Sequence, residues 1–427
     1  MNYKNISFNN ANIHFIKTDR FKTFIMSVVF KFPVKAEELP KYNFISWLLN
    51  DSSLKYTTKR KMAIKLEDLY QASYMVNTVR TGNNLNFSFS VESINPKYLE
   101  DKNHINDIID FLFEVILHPN AKNGSFDKKN FDIVKRDIKI DIESIKENPN
   151  RTAFENALKK MDDKSISSAS SIGTVEALEK ITPSELYDLY INMLHHSYVD
   201  IFIIGNLEEK DIFNDNDVMN KIFTIVNDDK RKDCIKPISN FVNNKEVKKT
   251  NYYEDKANYL QSQLVMIYNT VNLTKKEKDV TLLLFNYIFG SGGLNSKLYS
   301  SVREKNGYCY QINSSYYKFD NLLRVSSSLK KENAKHTIEL VNNALKEMQK
   351  GQFTEEELND AKQSMILALN YNKNSINSLL STVKNQILND GISIEEKIDA
   401  IAAITKDDII NVAKKIKENT NYLLSEE

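Results

Sequence analysis

Apolar and polar positions along the chain fall into two similar series, each beginning with strand-like runs and continuing with longer stretches of helical spacing. In the first series, Ile13 to Lys17 and Phe21 to Phe32 are dense in β-forming residues and predict strands. Helices are predicted from about Leu39 to Leu49 and from Thr57 to Tyr70, where Met62, Leu66, Leu69 and Tyr70 share one face. Alternation returns at Thr81 to Val91, with Leu85, Phe87, Phe89 and Val91 on one side, which predicts a half-buried strand. Further helical patterns run over Ile105 to Leu117, Phe126 to Lys146 and Asn150 to Met161. Thr182-Pro183-Ser184-Glu185 places a capping Thr, a Pro at the first helical position and a Glu two residues later, so a helix starts there and runs to about Leu194. Val199 to Gly205 closes the series as a buried strand.

The second series repeats this order. It has a strand from Tyr259 to Thr270, a helix from Lys275 to Phe289, a Gly-rich turn with a short helix, and strands at Tyr308 to Tyr317 and Leu322 to Ser328. Three helical stretches come next, and the close, Ile404-Thr405 leading into a helix and then Asn421 to Leu424, parallels Ile181-Thr182 leading to Val199 to Gly205. Self-similarity at a period near half the chain indicates duplicated domains. The expected division is residues 1–226, a linker over 227–254 that is rich in Asn, Asp, Lys and Arg, and residues 255–427. Mixed strands and long helices in this order predict an α+β fold, each half a largely antiparallel sheet with helices packed on one face.

A chain of 427 residues is too long for one ordinary core. Its 58 Lys+Arg against 57 Asp+Glu leave a net charge of +1, so no global attraction to nucleic acid or anionic membrane is expected. Two cysteines, Cys234 and Cys309, cannot form a disulfide scaffold and have no Cys-x-x-Cys spacing, which fits a reducing compartment. There is no signal-peptide-like start and no run of about 18 apolar residues. A cytoplasmic protein is the expectation, and heavy use of Asn, Lys, Ile and Tyr points to an AT-rich bacterial genome.

Candidate chemistry concentrates in Gly290-Ser-Gly-Gly-Leu-Asn-Ser-Lys-Leu-Tyr-Ser-Ser-Val-Arg303-Glu-Lys-Asn-Gly-Tyr-Cys-Tyr310. Arg supplies a permanent charge on a rigid fork of donors, and Tyr a neutral hydroxyl, the pair of groups that stabilises an oxyanion forming on a peptide carbonyl. The plain alternatives are that the glycines cap a helix, that Arg303 is a surface charge and that Tyr310 is an ordinary strand aromatic. The segment resembles the second domain of the M16 peptidases, the pitrilysin, insulinase and mitochondrial-processing-peptidase group. Leu298, Arg303-Glu304-Lys305 and Gly307 also fit, as do Tyr70-Gln-Ala-Ser73 (with Gln71 replacing a Gly), Leu117-His118-Pro119 and Ser171-Ile-Gly-Thr174.

The resemblance implies two homologous domains facing across a chamber, with a zinc site in the first domain completed by the Arg and Tyr of the second. Zinc chemistry needs about three His, Glu, Asp or Cys ligands and a nearby carboxylate. The helix matching the family's His-x-x-Glu-His reads Tyr42-Asn-Phe-Ile-Ser46-Trp47, with neither His nor Glu, and the region of the distal Glu, Val134 to Glu143, offers no ligand set by itself. His14, His104, His118 and His336 are isolated and His195-His196 adjacent, so each is expected in a core or surface role. Gly-x-Ser-x-Gly and Walker motifs are missing.

The resemblance, joined to the missing metal ligands, implies a non-catalytic subunit with no cofactor of its own. It would form a heterodimer with a catalytic M16 paralogue that carries zinc, and supply Arg303 and Tyr310 in trans. Gly290, Ser291, Gly292, Gly293, Asn295 and Ser296 would receive an unstructured peptide, such as a ribosomal-peptide precursor, in extended form. The alternative expectation is an M16-like scaffold or peptide-binding protein with no part in catalysis. A stand-alone peptidase is the third reading, and it predicts chelator-sensitive cleavage by the single chain.

Overall fold

A computed structural model describes residues 2–7, 11–101, 103–213, 222, 234, 236–243 and 247–426. Much of the stretch read as a linker lies outside the described residues, and its last four residues begin a strand, Asn251–Ala257. The chain forms two compact units. One comprises Met1–Glu143, Ser170–Asn240 and Asn374–Ser381, the other Ser144–Ala169, Phe241–Lys373 and Thr382–Glu427.

The first unit is built on a six-stranded sheet in the order Asn2–Ser7, Ala11–Lys17, Tyr198–Gly205, Thr23–Pro33, Asn84–Ile94, Ser73–Thr81. Pairing is antiparallel except between Ala11–Lys17 and Tyr198–Gly205. Register places Phe30 opposite Phe87 and Val28 opposite Phe89, so the alternating apolar positions line one face. Tyr42 of helix Leu39–Asp51 packs on Phe32 and Phe87, and Phe44 stacks on Phe131.

Asn84–Ile94 is more deeply buried than the half-buried strand expected, with every residue from Asn84 to Phe89 shielded. It is an inner strand, and its polar side is occupied too: the Asn84 side-chain amide donates to the Ile238 carbonyl (2.7 Å) and to Asn240 Oδ1 (2.8 Å). Elsewhere in the sheet, His14 is buried with its Nε2 2.9 Å from Asp200 Oδ1 and its Nδ1 2.9 Å from the Tyr3 hydroxyl. His104 is likewise buried and hydrogen-bonded to Ser93. Both are core histidines with polar partners.

Helix Lys59–Asp68 stops two residues short of Tyr70 because Tyr70 and Gln71 both take positive φ, 57° and 59°. Gln71 stands where the resembling family has Gly, and a left-handed non-glycine costs about 1–2 kcal/mol. Gln71→Gly is therefore expected to stabilise the chain, by no more than about 1 kcal/mol once the added freedom of the unfolded chain is deducted, as read from the urea midpoint.

The second unit has a five-stranded sheet in the order Cys309–Tyr317, Leu322–Leu329, Ser262–Thr270, Ile416–Glu426, Asn251–Ala257. Strand for strand this is the first sheet without its outer Asn2–Ser7 strand, down to the single parallel pairing, here between Asn251–Ala257 and Ile416–Glu426. Leu264, Met266 and Tyr268 face a layer of helices that includes Ala334–Gln349, Glu355–Asn372 and Lys406–Ala413. Four helices, rather than three, fill the stretch from Ala334 to Ala402. One helix departs from the one-sided plan: Pro149–Met161 lays Ala153 and Ala157, both fully buried, against Val265, Ile267 and Tyr422 on the opposite face. Two alanines one turn apart let the helix approach the sheet closely.

Capping obeys the sequence signals. Thr182 accepts from the Glu185 amide (3.3 Å) with Pro183 behind it, and Thr405 and Asp408 exchange bonds in the equivalent place.

Lys384 of helix Ile376–Leu388 is stripped of water by burial, which lowers its pKa from the ordinary lysine range to about 8. Below about pH 8 both folded and unfolded chains carry this proton and the burial penalty is fully felt. Between about 8 and 10.5 the unfolded chain holds more protons, so stability from this group rises with pH. Lys384→Met is expected to raise Tm at neutral pH and to raise it progressively less as pH climbs through that window, a trend that thermal melts at several pH values would check.

Candidate functional site

The Gly-rich segment sits at the end of a helix running from Glu277 to Ser291, whose first and last turns are wide, with i to i+5 hydrogen bonds such as Gly292 N–H to the Tyr287 carbonyl (2.9 Å). Such turns are infrequent and cluster at functional sites. Gly290 is required by packing: a Cβ there would lie 2.5 Å from Ser314 Oγ, 2.9 Å from Ser314 Cβ and 2.7 Å from Leu298 Cδ1. Ser314 is itself fixed, its hydroxyl donating to Asn286 Oδ1 at 2.6 Å. Gly293 is required by conformation instead, with φ of +65° and no atom within 4 Å of a Cβ.

Ser291, Gly293, Leu294 and Asn295 are exposed. Ser296 is not; it is 1% exposed, donates through its hydroxyl to the Gly293 carbonyl (2.8 Å) and accepts from the Tyr299 amide (3.3 Å), capping the short helix that carries Arg303. Leu294, Asn295 and Ser296 line a cavity of about 430 Å³ together with Glu347, Glu356 and Asp360.

Val302, fully buried, anchors the short helix and leaves Arg303 pointing to solvent, its guanidinium 5.0 Å from the centre of the Tyr299 ring. The helix ends in another wide turn, Lys305 N–H to the Ser300 carbonyl (3.1 Å), and Tyr308 N–H donates back to the Val302 carbonyl (3.2 Å). Strand Cys309–Tyr317 then begins with an irregularity. Cys309 pairs with Leu329 and Gln311 with Ser328, so Tyr310 is an extra residue, a β-bulge. Cys309 is buried, and burial pushes its thiol pKa up against smaller opposing effects of Ser327 and the Arg303 charge. Tyr310 is 60% exposed. Among the described residues neither the Arg303 guanidinium nor the Tyr310 hydroxyl has a hydrogen-bond or ion-pair partner, although the Arg303 carbonyl accepts from the Gly307 amide (2.9 Å). A cation and a phenol are thus displayed to solvent at the two ends of one backbone-tied turn, free to meet a developing negative charge.

Among its described residues the first unit offers no counterpart. In helix Leu39–Asp51, Tyr42, Phe44, Ile45 and Ser46 are all buried, and the Ser46 hydroxyl is spent on the Asn43 carbonyl (2.7 Å). In helix Lys128–Ile145, Asp141 and Glu143 are exposed to solvent. Among the described residues no three His, Cys, Asp or Glu side chains converge to hold a metal ion. Zinc therefore does not fit the described residues of these two helices.

The bulge at Tyr310 and the Ser314–Asn286 seat beneath Gly290 carry no local sequence signal. The seat joins residues 28 positions apart, and a bulge is a property of register rather than of residue type.

The family model for the "Peptidase M16 inactive domain" matches residues 180–365. A "probable inactive metalloprotease", YmfF of Bacillus subtilis, is 24% identical over 425 residues, covering 96% of this chain and 95% of its own length. A conserved protein of Enterococcus faecalis has a crystal structure with 26% identity and a TM-score of 0.90, covering 100% of this chain and 99% of its own. The crystal structure of a peptidase M16 inactive domain from Pseudomonas fluorescens, 16% identical, has the same fold at a TM-score of 0.78 over 100% of this chain and 99% of its own. With the Gly-rich turn, Arg303 and Tyr310 all inside the residues that the family model matches, the chain is similar to inactive members of the M16 peptidase family.

Proposed function

We propose that this chain is the non-catalytic subunit of a heterodimeric zinc metallopeptidase, in which Arg303 and Tyr310 complete the site of a partner that carries His-x-x-Glu-His. The observation that carries the reading is the exposure of both side chains without partners among the described residues, in a chain whose own metal helix is filled with buried Tyr42 and Phe44. Zinc in the partner would activate the water; this chain would bind the oxyanion and, through Gly290 to Asn295, receive an extended, unstructured peptide. A ribosomal-peptide precursor is the substrate class favoured. The halves 1–226 and 255–427, joined by 227–254, are read as duplicated domains, and the setting as the bacterial cytoplasm. Two free cysteines accord with that setting, and among the described residues no helix is long and apolar enough to cross a membrane.

A second reading, a scaffold or peptide-binding protein without a catalytic part, is favoured by one contact: Arg303 lies against Tyr299 of its own helix. Co-expression with an M16 paralogue bearing His-x-x-Glu-His tests the main reading. A stable one-to-one complex is expected, and failure of the two chains to associate at micromolar concentration would remove its basis.

A further inference from the structure

At the end of strand Ser262–Thr270, away from the Gly-rich turn in sequence, the second unit has a cavity of about 290 Å³ lined by Asn269, Thr270, Asn272, Lys278 and Asn321, with Val242 beside them. That volume is at the small end of ligand sites. Three features of its wall call for an occupant. Thr270 is only 5% exposed, yet its hydroxyl has no hydrogen-bond partner among the described residues, and the same is true of Asn321 Oδ1. Among the described residues Lys278 is the one charged member of the lining and has no carboxylate within ion-pair distance; its ammonium rests 3.6 Å from the centre of the Phe241 ring.

The local charge is also unbalanced. Lys318 pairs with the buried Asp279. Lys278 and Lys397 both feel the Lys318 charge and share that same carboxylate at longer range. Burial lowers the pKa of both lysines, and Lys318 adds to the effect. Among the described residues, three ammonium groups around a single carboxylate leave a net positive region that Lys278 presents to the cavity. A buried hydroxyl without a partner is destabilising, and a ligand oxygen accepting from it would recover that loss.

We propose that this cavity is a binding site for a small oxyanion, a carboxylate or phosphate group, held by the Lys278 ammonium and the Thr270 hydroxyl. Asn321 Oδ1 selects for a ligand that also presents a donor, such as a protonated phosphate oxygen or a neighbouring hydroxyl. The site is independent of the peptidase reading, since Arg303 and Tyr310 take no part in it.

Thermal melting of the full chain in increasing inorganic phosphate, and separately in acetate, each against sodium chloride at matched ionic strength, tests the site. A saturable rise in Tm is expected with at least one anion. A stronger response to phosphate assigns a phosphoryl ligand, and a stronger one to acetate a carboxylate. Half-saturation should move at least tenfold higher in Lys278→Met and several-fold higher in Thr270→Val, and stay in place in Lys275→Met, whose lysine is already paired with Asp390 at 2.7 Å. Thr270→Val keeps the test decisive if Lys278→Met melts too early to titrate. No saturable rise with either anion, or an unchanged response in both cavity variants, would overturn the proposal.

Discussion

Arg303→Ala and Tyr310→Phe are each expected to lower peptide cleavage by the two-chain complex about a hundredfold while leaving the complex assembled. The magnitude comes from the place these groups occupy. A preorganised donor facing a developing oxyanion contributes on the order of 3 kcal/mol, and each 1.36 kcal/mol is about tenfold in rate. The loss should fall on kcat more than on KM, because the charge that the donors meet exists only in the transition state. Both residues are exposed, so the fold has little to lose: Arg303 contributes a stack on Tyr299, and Tyr310 loses only its hydroxyl in the Phe variant. Arg303→Lys separates charge from geometry. It keeps the cation but not the planar fork, and an intermediate rate is expected. If all these variants cleave at the wild-type rate within an intact complex, the scaffold reading stands in place of the catalytic one.

Gly290→Ala should destabilise the chain by about 2–3 kcal/mol, although Ala is the better helix former by about 1 kcal/mol. Crowding outweighs propensity here because the added methyl meets Ser314 Cβ at 2.9 Å, an atom fixed by its strand, as well as Ser314 Oγ and Leu298 Cδ1. Making room means moving Ser314 off Asn286 or lifting the helix from strand Cys309–Tyr317. Either change reaches the bulge at Tyr310 through the same strand, so activity of the complex should fall together with stability. Gly293→Ala is the internal control. It meets no neighbour and carries only the cost of positive φ, about 1 kcal/mol, part of which Gly293→Asn recovers. Urea unfolding of the three variants measures the order Gly290→Ala, Gly293→Ala, Gly293→Asn; a loss at Gly290→Ala no larger than at Gly293→Ala would show that the contacts around Gly290 relax to admit a methyl and do not require glycine.

Sequence patterns locate the inner strands and most helices because those elements are buried on a definite face. Phe87, Phe89 and Val91 alternate, and Thr182 and Thr405 announce their helices. Of the outer strands, Cys309–Tyr317 is legible, but three others are invisible for the converse reason. Asn2–Ser7 and Asn251–Ala257 are mostly exposed, and Ser73–Thr81 shows Met75 and Val79 to solvent, so no hydrophobic alternation marks them. Strand Ile416–Glu426 begins well before the apolar Tyr422 to Leu424, because Asn419, Thr420 and Asn421 are buried by hydrogen bonding with neighbours and not by apolar character. Helix Pro149–Met161 is legible as a helix, but the sheet it covers depends on long-range packing of Ala153 and Ala157, which local periodicity does not encode.

The candidate site divides in the same way. Residue types and spacing pick out Gly290, Arg303 and Tyr310, whereas the role of each glycine comes from its surroundings: Gly290 from contact with Ser314, Gly293 from its φ. Ser296, expected to meet substrate with the rest of the loop, is turned inward as a cap, which leaves Ser291, Gly293 and Asn295 as the exposed members beside Leu294.

Whether this chain completes another chain's zinc site is decided by cleavage of an unstructured peptide by this chain alone, by the His-x-x-Glu-His paralogue alone and by the two together, with zinc measured in each preparation. A site completed in trans predicts no cleavage and no stoichiometric zinc for this chain, zinc but weak or no cleavage for the paralogue, and full, chelator-sensitive activity only in the mixture. Chelator-sensitive cleavage by this chain alone, or a paralogue whose activity is indifferent to its presence, would contradict it.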